Sequence, residues 1–193
     1  MKTLNNSSFY LSAYKKYKQT PKGLNWKNKH SQQVRFETIF IMIEKLLSKD
    51  VVLVDAGCGF GDFYHFLQKK DVECEYIGID SIKEFVDIAR KNTKQTIYHR
   101  DILTDKLIEA DIYIASGSLN ILSKFETFLF IKRCFLHSKV GFVFNILEGE
   151  VHLNFNTFKK DELKEYAKEL CADIYLKDGY LSGDVTVFLS HKQ

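Results

Sequence analysis

Val-Val-Leu-Val-Asp-Ala-Gly-Cys-Gly-Phe-Gly, residues 51–61, is the stretch from which the rest of the chain can be read. Its opening apolar run, rich in β-branched residues, is too short for a helix and suits a strand buried on both faces. The strand is expected to end at Asp55, with Gly57, Gly59 and Gly61 following. Glycine permits positive φ and lets backbone N–H groups approach a ligand with no Cβ between them. Phe63, Phe66 and Leu67 then recur at helical spacing, so the loop opens into a helix whose N-terminus faces the same crevice. Strand, glycine loop and helix in this order make a nucleotide-type site.

The glycine spacing and a more distant acid narrow the nucleotide. A nicotinamide dinucleotide site calls for Gly-x-Gly-x-x-Gly, whereas this loop reads Gly57-x-Gly59-x-Gly61 behind Asp55. A second strand over residues 75–79 leads into Asp80 and Ser81, with Asp80 19 residues past Gly61. An acid there can accept both hydroxyls of a ribose. Alone, a glycine loop is an ordinary tight turn; joined to an acid at this spacing it is hard to obtain by chance.

Charge is uneven on the amino-terminal side. Residues 1–36 hold seven Lys, Arg35 and no acid, a local +8, against −5 for the other 157 residues. The same segment contains Phe9, Tyr10, Tyr14, Tyr17 and Trp26. Basic residues interleaved with aromatics can mark a nucleic-acid surface. The other reading is a lid packed over the crevice, favoured because a pI near 8.5 is modest for a nucleic-acid binder. Residues 1–30 are expected to be mobile and without helical periodicity, hinged near Pro21 and Gly23, their charge steering an anionic acceptor. A helix is expected from Ser31, its N-cap, with Val34, Ile39, Ile43, Leu46 and Leu47 on one face, ending near Ser48.

The 193 residues, 45% hydrophobic and 27% charged, read as one domain, 1–193, with a lid and helix over 1–48 and a core over 51–190. No early apolar run resembles a signal peptide, and the longest apolar runs are far too short for a bilayer. Cys58, Cys74, Cys134 and Cys171 share no metal or redox spacing. A cytoplasmic protein without a metal site or membrane contact is expected; nothing in the sequence sets an oligomeric state.

After the glycine loop, strand and helix alternate with short connections. A helix with Phe85, Ile88 and Ala89 inward precedes a strand at 96–99 and then Asp101-Ile102. A strand at 110–115 leads to Ser116-Gly117-Ser118-Leu119-Asn120, a helix at 125–137, a strand at 140–147 and a helix at 161–170. Runs at 172–176 and 184–190, separated by Asp-Gly and Ser-Gly, make a closing hairpin. The fold class is α/β, a doubly wound, Rossmann-like seven-stranded sheet with an antiparallel last strand.

Asp-x-Gly-x-Gly-x-Gly over 55–61 resembles motif I of the class I S-adenosylmethionine (SAM) dependent methyltransferases, whose sheet closes on such a hairpin; the resemblance covers residues 51–190. It implies SAM as cofactor, with the loop at Gly57, Cys58, Gly59 and Gly61 wrapping its methionine end and Asp55 close by. It implies Asp80 at the ribose beside Ser81, Asp101 at the adenine amino group, and the backbone of Ile102 at the ring. Ser116 and Gly117 would pass beneath the methionine moiety. For Asp101 considered alone, a helix N-cap or a surface acid is an equal alternative. Trp26 with Ser31-Gln32 and Arg35-Phe36 is similar to a segment of small bacterial methyltransferases of unassigned substrate. That likeness implies that Gln32 and Arg35 reach the cofactor, Arg35 binding its carboxylate bidentately; a surface arginine on a solvated helix is the alternative.

Methyl transfer requires mainly alignment of a nucleophile and exclusion of water, so no catalytic residue is marked in the sequence. The loop after the fourth strand lacks the Asn/Asp-Pro-Pro-Tyr of enzymes acting on exocyclic or amide nitrogens, and the Pro-Cys of RNA cytosine-C5 enzymes. Clustered carboxylates of metal-dependent catechol-type enzymes are not apparent. Asn120, Asn145, Glu148, Glu150 and His152 remain near the crevice. The acceptor is expected to be a small molecule. An RNA or protein acceptor, or a non-catalytic SAM-binding accessory role, is the alternative; a dinucleotide oxidoreductase fits neither the glycine spacing nor the closing hairpin.

Overall fold

The apolar run after Val51 forms β1 (Val52–Ala56) at the centre of a mixed sheet. The computed structural model describes residues 6–149, 155–170 and 172–192. In chain order the other strands are β2 (Glu75–Asp80), β3 (Thr96–His99), β4 (Ala110–Ala115), β5 (Ser138–Glu148), β6 (Thr157–Phe158), β7 (Ala172–Lys177) and β8 (Asp184–His191). The order across the sheet is β3-β2-β1-β4-β5-β8-β7; β1 to β5 pair in parallel and β8 runs antiparallel to both neighbours. These seven strands are the expected doubly wound sheet. The two-residue β6 is an addition, pairing with the end of β5 at Leu147 and Glu148, beyond the last residue of β5 that β4 reaches.

Buried strands alternate their side chains between two cores. Val54, Ile79, Tyr113 and Phe144 pack against α5 (Lys124–Leu136) and α6 (Lys160–Glu169). Leu53, Tyr76, Ile112 and Val143 pack against α2 (Lys29–Ile43), α3 (Asp62–Lys69) and α4 (Lys83–Thr93) on the other face. Strand order reverses between β1 and β4, and ligands of such sheets bind beyond the carboxyl ends of the strands at that point. Among the described residues no helix is long and apolar enough to cross a membrane.

The amino-terminal segment departs from expectation. Asn6–Tyr17 is a helix, α1, whose Tyr10, Leu11 and Tyr14 pack against Phe60, Ile82 and Phe85. Tyr10, Ala13, Tyr14 and Tyr17 do recur at helical spacing, a period masked by the lysines among them. A 3-10 turn (Pro21–Leu24) follows. The next helix is capped by Asn28, not Ser31: the Asn28 side chain accepts from the Ser31 N–H at 2.8 Å while Ser31 Oγ faces the Asn28 N–H. The α-helix ends at Ile43, and a 3-10 turn (Glu44–Leu46) carries the chain on, leaving Leu46 exposed.

Candidate functional site

The carboxyl ends of β1, β2 and β4 open into a cleft of about 1040 Å³, walled on one side by α1 and the segment after it. The glycine loop forms its floor. Gly57 has φ +84°, and a Cβ there would lie 2.6 Å from the Ser118 Cβ, so β1 and β4 can deliver their loops side by side only with glycine at this position. The N–H groups of Gly57 and Cys58 both donate to the Ile79 carbonyl, at 2.7 and 3.0 Å, tying the loop to the end of β2.

Asp80 completes that tie. Its Oδ2 accepts from the Gly59 N–H and its Oδ1 from the Ile82 N–H, both at 2.9 Å. Burial pushes its pKa up to about 6, and these backbone N–H groups hold it from rising further. The Ser81 N–H also bears on this carboxylate, whose two oxygens, with about four acceptor sites between them, still keep capacity for a ligand hydroxyl. Asp101 also does two jobs. Its Oδ1 accepts from the Leu103 N–H at 2.8 Å, closing a turn where no helix follows to be capped, and the residue lines the cleft beside Ile102.

Ten of the expected residues line this cleft: Trp26, Arg35, Gly57, Gly59, Asp80 and Ser81, and further along Asp101, Ile102, Ser116 and Gly117. Gln32, Asp55 and Cys58 do not; they face a recess of about 30 Å³ behind the glycine loop. There Gln32 Nε2 donates to Asp62 Oδ2 and the Tyr76 hydroxyl donates to Asp55 Oδ2, both at 2.7 Å. Burial lifts Asp55 to about 7 and lifts the Cys58 thiol too, with Asp80 adding to both. Gly61 lines neither space: a Cβ there would meet the Thr93 methyl at 2.3 Å, so its glycine serves the approach of α4.

Arg35 is more committed than expected. Its Nε and Nη2 both address Asp184 Oδ1, at 2.8 and 2.6 Å, and its guanidinium lies 5.2 Å from the Trp26 ring centre. Trp26 itself is 9% exposed, edge-on to Phe36, and would touch a Cβ at Gly117. It is therefore packed on the domain. Ser116 Oγ donates to Asn145 Oδ1 at 2.8 Å, and Asn145 Nδ2 donates to Thr186 Oγ1 at 2.6 Å, fixing the end of β4 to β5 and β8. Asn145 thus supports the cleft from behind. Glu148 pairs with Lys160 at 3.4 Å and does not line it, while Glu150 and His152 lie outside the described residues.

Two features escape a reading of the sequence. The Tyr10 hydroxyl donates to the Gly117 carbonyl at 3.3 Å, a contact across 107 residues that bridges α1 to the β4 loop. The six described lysines of the arm, Lys15, Lys16, Lys18, Lys22, Lys27 and Lys29, are all exposed, and none lines the cleft. The cleft wall instead carries Asp80, Asp101, Asp105 and Glu126 against Arg35 and Arg100. The positive charge faces outward, which corrects the expectation that it lies over the crevice.

Residues 47–176 match the family described as methyltransferase domain. No curated protein matches the chain. Among solved structures it resembles magnesium protoporphyrin IX methyltransferase from Synechocystis PCC 6803 with bound SAM, with 12% identity, all of both chains covered and a TM-score of 0.74. It also resembles a SAM-dependent methyltransferase from Leishmania major (13% identity, 96% of this chain and 82% of that one, TM-score 0.74). A third likeness is to a TehB-like SAM-dependent methyltransferase from Corynebacterium glutamicum (14% identity, 97% and 98% covered, TM-score 0.66). At these identities the likeness speaks for the fold; the family match, spanning most of the chain and its glycine loop, makes the protein a member of the methyltransferase domain family, enzymes that take their methyl group from SAM.

Proposed function

We propose that the protein transfers a methyl group from SAM to a small-molecule acceptor bound in the same cleft. The observation that carries this reading is Asp80, held at the end of β2 by the N–H groups of Gly59 and Ile82 with acceptor sites left over on its carboxylate. In this reading those sites take the two ribose hydroxyls, Asp101 and the Ile102 backbone take the adenine, and Gly57 and Gly59 lie along the methionine end. The donor supplies a methyl carbon already activated by a sulfonium. The protein has to orient it and keep water out. Ser116 and Gly117, braced by Asn145 and covered by Tyr10, suit that orienting role. Asp55 and Gln32 act from behind the loop, and Arg35, which keeps N–H groups beyond those given to Asp184, takes the cofactor carboxylate. α1 serves as the cover, ordering further when the cofactor is bound. The free thiols of Cys58, Cys74 and Cys134 fit a reducing cytoplasm.

Calorimetry with S-adenosylhomocysteine (SAH) tests the reading. Wild type should bind, and Asp80→Ala should weaken binding by about 1.5–3 kcal/mol, the loss of a charge-assisted pair of hydrogen bonds. Binding of NADH in place of SAH would overturn it.

A further inference from the structure

Asn120 stands in the cleft wall with its chemistry unused. It is 8% exposed, and its Oδ1 is shut off from solvent with no hydrogen-bond partner among the described residues. Buried polar atoms are rarely left unpaired, so an amide oxygen shut away with no partner marks a side chain that a ligand in the cleft can draw round. The residue is firmly placed. Its carbonyl accepts from the Asn156 N–H at 2.7 Å, and Asn156 Nδ2 reaches Thr127 Oγ1 at 3.1 Å. The side-chain amide turns about a soft torsion, so half a turn carries the oxygen to its other side without moving the backbone. Around it the lining is apolar, with Ile121, Leu122, Phe130 and Phe155. At about 1040 Å³ the cleft lies at the upper end of small-molecule sites, roughly 300–1,000 Å³, and has room for a second ligand beside a nucleoside.

We propose that Asn120 binds the methyl acceptor, and that the acceptor is a saturated amine on a small apolar body; this rests on the methyl-transfer reading above. An amide oxygen accepts a hydrogen bond from an N–H but takes up no proton. That suits a nucleophile that attacks with a neutral lone pair, and it does not suit a hydroxyl that must be deprotonated. The acid-rich wall draws a cationic amine into the cleft. There the ammonium gives one proton to water at the open mouth, and one remaining N–H donates to Asn120 Oδ1. The nitrogen lone pair forms the new N–C bond as the C–S bond breaks, its electron pair staying on sulfur. A saturated amine holds its lone pair outside any π system. It therefore needs none of the machinery of the Asn/Asp-Pro-Pro-Tyr loop, which Ser116-Gly117-Ser118-Leu119 replaces here.

The test incubates the whole protein with methyl-labelled SAM and a mixed metabolite extract, and locates the label by mass spectrometry. Label on a saturated nitrogen, at a rate rising with pH, is expected. Asn120→Leu should raise KM for the labelled amine by about 10–100-fold and leave the SAH dissociation constant within about twofold, as loss of one buried hydrogen bond predicts. Asn120→Asp, which keeps an acceptor oxygen in place, should hold KM near that of wild type and decides the matter if Asn120→Leu no longer binds SAH. Label on oxygen, sulfur, carbon or a conjugated nitrogen overturns the proposal, as does label in RNA or protein alone, or none at all. An unchanged KM in Asn120→Leu, or a KM raised as much by Asn120→Asp, does the same. Failure of wild type to bind SAH would instead be failure of the methyl-transfer reading.

Discussion

Asp55 is the residue at which burial and charge pull apart. It ends a central strand, 3% exposed, and the one hydrogen bond its side chain accepts among the described residues is that of Tyr76. An Asp in the unfolded chain titrates near about 3.9, whereas burial holds the folded group near about 7. Between those values the folded state binds the proton more tightly. The contribution of Asp55 to stability is therefore greatest at low pH and is lost as pH rises toward 7. Asn at this position accepts the same Tyr76 bond and carries no charge. Asp55→Asn should thus be more stable than wild type by about 1–3 kcal/mol at pH 8 and by little at pH 4, the difference following the buried charge. Scanning calorimetry at the two pH values measures this; wild type equal to or above the variant at pH 8 would show that the carboxylate is not strained. Retention of such a charge is the stability cost common at ligand sites, and a cationic methyl donor in front of the loop is what would offset it.

At the scale of elements, α1 and the segment after it show what can and cannot be read from sequence. The strands were legible because each is a short apolar run between turn residues, and the antiparallel end of the sheet because Asp178-Gly179 and Ser182-Gly183 mark the turns. The helix α1 was not, since its inner face is built of tyrosines whose hydroxyls and neighbouring lysines hide the apolar period. Nor was the Asn28 cap, because Asn28 and Ser31 satisfy each other reciprocally and either fits the pattern. Of the residues lining the cleft, Gly57, Gly59 and Asp80 were singled out by spacing, and Asp101, Ile102, Ser116 and Gly117 through the family resemblance. Tyr10 and the outward turn of the lysines depend on contacts between segments far apart in the chain. Since Trp26 is packed under Arg35 and against Gly117, iodide should quench its fluorescence weakly both with and without SAH. If α1 is the cover, trypsin cleavage after Lys15, Lys16 and Lys18 should slow when SAH binds. Strong quenching without ligand would contradict the packing, and cleavage indifferent to SAH would contradict the cover.

The whole molecule is a polarised body, with a lysine-covered arm turned outward and an acid-lined cleft within. That division follows from topology. The parallel order of β3, β2, β1 and β4 brings their carboxyl ends to one rim, and β8 and β7 close the far edge away from it. Gly57 to Gly59, Asp80 to Ile82, Asp101 to Leu103 and Ser116 to Ser118 all sit at that rim, though they are scattered over some 60 residues of sequence. If the cleft holds the methyl donor, one ligand must touch all four groups together. Amide chemical shifts of the isotopically labelled protein, recorded while SAH is titrated in, test this most directly. The largest changes should fall together on the residues after β1, β2, β3 and β4 and saturate with one dissociation constant. No change at millimolar SAH, or changes confined to the β7 edge or the lysine face of the arm, would contradict it.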